Sequence, residues 1–418
     1  MVKPGCKQTE VGVIPEDWEV QKIRDLCKLV NGRGFKPYEW GTRGYPIIRI
    51  QNLNGSDEFN FYEGPFNPKI LVESGQLLFA WSGSRGTSFG PHVWYGETAV
   101  LNYHTWKIEV DETAVDPDFY LYALKNLTVS IEDQAHGASA LVHTQKWEME
   151  GFDLAIPSEI NEQRAVAAAL SDVDAALAGL LRLIAKKKDL KQATMQTLLT
   201  GQTRLPGFSG EWQVKRLGEL VDTDPENLGS GTVPDQSFNY IALENVDRGR
   251  LLGWTEQQFA TAPSRARRVL RSGDVLIATV RPNLQAHLLF GEAAGLMPWV
   301  CSTGFCVVRC IPGKSWAPFI FAQFFAGGIS KQIETLIAGS NYPAINSGDV
   351  RALEVAAPCY KEQTAIATVL SDMDAEIAAL TAQADKTRLL KQAMMQELLT
   401  GRTRLPLPVD HGPEGAHV

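Results

Sequence analysis

Two stretches of the chain carry a heptad rhythm. Val166, Leu170, Val173, Leu177, Leu180 and Ile184 are spaced 4, 3, 4, 3, 4, and Ile366, Leu370, Met373, Ile377, Leu380 and Ala384 repeat those steps. Apolar residues at that spacing form one seam along a helix, as in a coiled coil. Pro157 and Pro358 lie just upstream, and Gly201 and Gly401 just downstream, as start and stop signals. The pattern predicts two helices of about 39 residues, each roughly 58 Å long at ~1.5 Å per residue. Such a helix is too long for one small core, so the two seams are expected to bury each other. Past Ile184 a strict seam lands on Lys187 and Lys191, which predicts a drift or stutter.

These stretches belong to an internal repeat with a period of about 200 residues. From Glu159 to Pro206, about 26 of 48 positions recur without a gap between 359 and 406. Glu162-Gln163 returns as Glu362-Gln363, and Thr203-Arg204-Leu205-Pro206 as Thr403-Arg404-Leu405-Pro406. The start of each half repeats more weakly. Trp18, Val20, Ile23 and Leu26 share their spacing with Trp212, Val214, Leu217 and Leu220, and Ser74-Gly75-Gln76-Leu77-Leu78 resembles Ser272-Gly273-Asp274-Val275-Leu276. Between these anchors the halves diverge. The expected order is a variable domain at 1–157, a constant helix at 158–201, a second variable domain at 202–358, a second helix at 359–401, and a disordered tail at 402–418.

The variable segments read as mixed α and β. Strand-like runs fall at 46–51, 76–81, 104–110, 275–280 and 304–310, and helical runs at 118–131 and 317–336. The fold class is therefore α+β: two mixed domains joined by two long paired helices with an internal two-fold repeat.

Composition adds exclusions. The chain has 418 residues, 44% hydrophobic and 21% charged, with enough length for two or three cores. No apolar run approaches the ~18 residues of a membrane span, and the start lacks an apolar signal core, so a cytoplasmic protein is expected. A net charge of −8 excludes a generic basic coat for nucleic acid, although not a local reading surface.

Signatures of catalysis are missing. Gly313-Lys314-Ser315 lacks the earlier glycine of a phosphate loop, because Val308 stands there. Neither a Gly-x-Ser-x-Gly elbow nor a His-Glu-x-x-His pair occurs, and an Asn-Pro-Pro-aromatic methyltransferase loop is also missing. Cys301, Cys306 and Cys310 have poor spacing for zinc and read as reduced core cysteines. No metal site is expected.

What remains points to DNA. Lys22, Arg24, Lys28, Arg33, Lys36, Arg43 and Arg49 face only Asp25 and Glu39. Arg248, Arg250, Arg265, Arg267, Arg268, Arg271 and Arg281 face Asp247, Glu256 and Asp274. Such clusters neutralise phosphates. Beyond each Leu-rich strand comes a loop with one arginine among small or amide residues: Ser84, Arg85 and Thr87 in one half, Arg281, Asn283 and Gln285 in the other. Arginine pairs bidentately with guanine, and Asn or Gln with adenine. A second loop pair holds Ser139 and His143, and Asn341 and Tyr342. With Arg33, Lys36, Arg43, Arg265 and Arg267, these are the candidate DNA contacts.

Taken in order, these elements resemble the specificity subunit of a type I restriction–modification enzyme. The resemblance rests on the opening Thr9 to Trp18, the two Ser-Gly-x-Leu/Val-Leu strands, the small-residue loops at Gly137 and Gly339, and the proline then Glu-Gln entry into each long helix. It implies two target recognition domains, each reading half of a split, asymmetric double-stranded DNA site. The two helices would be an antiparallel spacer that sets the half-sites about one helical turn apart, roughly 34–36 Å. It further implies two modification subunits that methylate adenine with S-adenosylmethionine, and restriction subunits that use ATP and Mg. This chain itself would hold no cofactor and be non-catalytic. The competing reading is a coiled-coil assembly scaffold without sequence-specific DNA binding, which leaves the divergence of the heads unexplained.

Overall fold

The computed structural model describes residues 4–134, 141–291, 295, 297–337 and 343–406. Two compact units are present: Met1–Leu180 with Gln383–Val418, and Leu181–Ala382. The long helices run Ile160–Leu198 and Tyr360–Leu398, 39 residues each. Each helix therefore contributes its first half to one unit and its second half to the other.

Both units are built from two four-stranded sheets in the same order. In the first, Gly90–Val93, Leu77–Ala80, Thr105–Val110 and Cys27–Asn31 lie side by side in one sheet, and Phe61–Tyr62, Tyr45–Ile48, Ala99–Leu101 and Leu71–Val72 in the other. In the second, the matching orders are Leu288–Leu289, Val275–Ala278, Phe305–Cys310, Val221–Thr223, and Thr255–Gln258, Ser237–Ile241, Trp299–Ser302, Ala266–Leu270. The central pair of each latter sheet is parallel. The internal repeat thus extends to topology even where the residues diverge.

The Leu-rich strands are apolar throughout because both faces are buried. Leu77 and Phe79 enter the core that also holds Val166, Leu170 and Leu398 of the helices, while Leu78 enters a distal core with Ile47 and Val100. Val275 and Ile277 likewise join Ile366, Leu370 and Leu198, while Leu276 and Ala278 face the distal core. Cys306 belongs to the helix-side core and Cys301 to the distal one, so the sheet separates them.

Within each unit the two half-helices run antiparallel. In the first, Asp174 pairs with Lys391 at 2.6 Å, and the more N-terminal Glu162 pairs with Arg404, beyond the end of the other helix. In the second, Asp374 pairs with Lys191 at 2.5 Å and Glu362 with Arg204 at 2.6 Å. Val166, Leu170, Ile184, Ile366 and Leu370 of the seam are buried, and Val173, Leu177, Leu180, Met373, Ile377 and Leu380 are half-buried.

Three local expectations change. The seam does not stutter after Ile184: Lys187, Lys191, Thr194 and Leu198 continue its 3-4 spacing, and all are at least half-buried. The lysines fit because their aliphatic stems cover the seam while the ammonium groups reach Glu376 and Asp374. The run at 317–336 is two helices, Ala317–Gln323 and Gly327–Ile337, not one. The break places Phe324, 1% exposed, in the core, ahead of the helix-weakening Gly327-Gly328. The strand at 46–51 ends at Ile48, since Asn52 Oδ1 accepts from the Arg49 amide at 3.1 Å and starts a short helix, Ile50–Leu53. Of the tail expected from 402, residues 407–418 lie outside the described residues.

Candidate nucleic-acid interface

In each unit, the backbone leaving the Leu-rich strand pairs with the segment that follows the small-residue loop. In the first, Ser82–Ser84 pairs antiparallel with Leu141–His143, setting Ser84 opposite Leu141 and His143 opposite Ser82. In the second, Val280 bridges Ala344, the Arg281 amide donates to Pro343 O at 2.8 Å, and the Ile345 amide donates to Thr279 O at 2.9 Å. Candidate segments some 60 residues apart in sequence thus form one surface per unit. Ser139, Asn341 and Tyr342 lie outside the described residues.

The first loop is tight. The Ser84 amide donates to Ser88 Oγ at 2.8 Å, the Gly86 amide to Glu132 Oε1 at 2.8 Å, and Thr87 Oγ1 to Ser84 O at 3.3 Å. A Cβ on Gly83 would lie 2.7 Å from Ser88 Oγ, so only glycine fits under this turn. Arg85 and Thr87 are exposed at its tip, and Ser84 and His143 are half-buried beside it.

The second loop is a single turn of 3-10 helix, Pro282–Leu284, between two left-handed residues, Arg281 at φ 49° and Gln285 at φ 55°. Arg281 and Asn283 are exposed and Gln285 is half-buried. Behind them lies His287, 1% exposed, with its ring 5.4 Å from Phe324 and 5.7 Å from Phe325. Its Nδ1 accepts from the Ala278 amide at 3.2 Å, which puts the proton on Nε2. Burial lowers its pKa to about 4, so it is neutral under ordinary conditions.

The basic clusters are smaller than their charge counts. Arg33 is paired with Glu39 and stacked at 4.9 and 4.7 Å over Phe35 and Tyr62, so its charge is compensated inside the domain. Lys36 and Arg43 are exposed on the same arm. In the second unit, Arg268 pairs with Asp224 and Arg271 with Glu226, while Arg309 binds Asp274 through two hydrogen bonds at 2.8 and 2.7 Å. Arg267 lies 4.8 Å over Phe259, with its guanidinium bonded to Ala266 O. Arg248, Arg250, Arg265 and Arg281 remain exposed.

Sequence reasoning left the most closely repeated residues without a role. Glu162 and Glu362 are buried, and each accepts a two-point bond from an arginine just past the end of the other helix. Arg404 reaches Glu162 at 2.8 and 2.5 Å, and Arg204 reaches Glu362 at 2.6 and 2.7 Å. Gln163 and Gln363, also buried, accept from the amides of Asp116 and Trp316 and donate to the carbonyls of Pro157 and Pro358. The Glu-Gln and Thr-Arg-Leu-Pro repeats are therefore latches that bind helix ends to domains. Their signal was the repetition itself. Among the described residues, no group of three or more His, Cys, Asp or Glu side chains is arranged to hold a metal, and no helix is long and apolar enough to cross a membrane.

A family model for the type I restriction modification DNA specificity domain matches residues 15–191 and 265–388. The type I restriction enzyme MjaVIII specificity subunit of Methanocaldococcus jannaschii is 24% identical over 415 residues, covering 94% of either chain. The putative MjaX specificity subunit of the same organism is 23% identical over 425 residues, covering 96% of either chain. The S subunit of a type I restriction–modification system from M. genitalium has the same fold, with a TM-score of 0.58 at 17% identity over 94% of this chain and 98% of that one.

Proposed function

This chain belongs to the type I restriction–modification DNA specificity family, and from that premise we propose that each of its units reads one part of a split, asymmetric double-stranded DNA site. The observation that carries the reading is the loop surface built twice at one topological position, with different side chains each time. Ser84, Arg85, Thr87 and His143 occupy it in one unit and Arg281, Asn283 and Gln285 in the other. A constant frame presenting different donors is what two half-sites of different sequence require. A scaffold without base reading gives no reason for that difference.

In this reading the chain performs no chemistry. It positions two modification subunits, which supply S-adenosylmethionine and methylate adenine. Restriction subunits add ATP- and Mg-dependent cleavage, and the assembly works in the cytoplasm. The antiparallel half-helices are the spacer, and partner subunits contribute part of the positive field that a chain of net charge −8 lacks.

A genome-wide map of adenine methylation, with this gene present and deleted, tests the proposal. Loss of one split motif on deletion is expected. An unchanged map, with a modification gene that is expressed and active, would overturn it.

A further inference from the structure

Four non-glycine residues among those described have positive φ, and three of them lie in segments of the second unit that join at His287: Arg248 at 40°, Arg281 at 49° and Gln285 at 55°. Arg281 and Gln285 bound the candidate reading loop. Arg248 belongs to a different element, the hairpin that joins Val246–Asp247 to Arg250–Leu251. Its turn is Arg248-Gly249, both left-handed, a geometry that prefers Asn-Gly.

The first unit holds a glycine at the matching position. Asn52 and Asn245 play the same part, each accepting through Oδ1 from the amide three residues earlier. Three residues beyond them stand Gly55, at φ 93°, and Arg248. Glycine accepts this conformation freely, whereas an arginine is strained by its own Cβ. The fold recovers nothing from the exchange. Arg248 is exposed, and its side chain makes no hydrogen bond or ion pair with any described residue.

The hairpin is nevertheless tied to the segment that follows the reading loop. The Gly249 amide donates to His287 O at 2.8 Å, and the His287 amide donates to Gln285 O at 2.7 Å. A Cβ on Gly249 would come within 3.1 Å of Phe321 Cζ, so the turn sits directly on that ring. Backbone strain kept at an exposed cation whose turn is tied to its neighbours points to a functional contact.

We propose that Arg248 is a DNA-contacting residue of the second unit, presented beside the Arg281–Gln285 loop so that its guanidinium donates to a pair of acceptors on the half-site. The proposal rests on the reading of the chain as a specificity subunit. The test uses the full chain co-purified with its modification subunits and a labelled duplex carrying the motif found by the methylation map. Arg248→Gly should keep or raise the melting temperature, because it relieves the strain, while affinity falls by about 5- to 150-fold. Arg248→Lys separates the two acceptor types. A guanine edge predicts a similar loss, with relaxed methylation at one base of the second half-site only. A phosphate predicts near-normal binding by the lysine variant, and in Arg248→Gly a salt dependence shallower by about one charge. Unchanged affinity in Arg248→Gly, or a lowered melting temperature, would overturn the role of Arg248 alone. No sequence-specific binding by the wild-type complex would overturn the parent reading and this one with it.

Discussion

The residues that recur most faithfully between the halves hold the helices, and those that read DNA are expected to differ. Arg204→Ala would leave the Glu362 carboxylate, 1% exposed, without its counter-charge, and should clearly lower the urea midpoint of the second unit. Arg404→Ala should cost less, because that arginine's side chain is 43% exposed against 26% for Arg204 and water screens it more. Arg204→Lys should recover only part of the loss, since one ammonium cannot make the two-point bond. His287 gives a pH prediction. Its folded pKa of about 4 lies below the ordinary 6.5, so its contribution is complete above pH 6.5. As pH falls from 6.5 towards 4 the unfolded chain takes up a proton that the folded one refuses, and the second unit should lose roughly 3 kcal/mol. His287→Gln should flatten that slope in denaturant titrations at each pH. Arg85→Ala and Arg281→Ala should each weaken binding by about 1–3 kcal/mol and relax only the half-site of their own unit, read by methylation sequencing.

At the scale of elements, the heptad seam is graded. Leu170 is fully buried in the first unit's core with Leu398, whereas Leu177 is only half-buried. Leu170→Ala should therefore cost about 2–5 kcal/mol and Leu177→Ala clearly less, measured as midpoint shifts in urea. Both helices and their seams were legible in the sequence, because a 3.5-residue period is a local property that packing only selects. Lys187 and Lys191 were misread for a related reason. A polar letter hides an apolar stem, and only the presence of Glu376 and Asp374 opposite makes a lysine a seam residue. The split at Phe324–Ala326 was also hidden, since an aromatic run fits one continuous helix as well as two short ones until its core partners are known.

At the scale of the molecule, neither compact unit matches one variable segment. The first needs residues 383–406 as well as its own sheets, because Leu398 and Leu399 complete its core and Gly401 packs where a Cβ would be 2.5 Å from Pro15. This shapes a domain exchange. Replacing residues 1–155 with the segment of another family member should change one half-site of the methylated motif and leave the other. It should succeed only if Pro15, Asp17 and Trp18, which meet the end of the second helix, are kept. A change in both half-sites would show that reading is not modular.

The chain alone determined that there are two long helices, that each half repeats the other, and that the variation lies in the segments ahead of each helix. All of these are matters of period and order, which a linear sequence carries. Membership of the specificity family followed from the same motifs in the same order. Tertiary structure decided what depends on distant partners. It joined the Ser82–Ser84 strand to Leu141–His143 and Val280 to Ala344, and it showed that Arg33 and Arg268 are taken up by carboxylates within the fold, while the exposed Arg271 pairs with Glu226 at the surface. It also tied the Arg248-Gly249 turn to His287, two residues past the Arg281–Gln285 loop, through a hydrogen bond from the Gly249 amide. A charged letter shows that a side chain can meet an anion, but only the folded chain shows whether that anion is its own carboxylate or is left for DNA to supply.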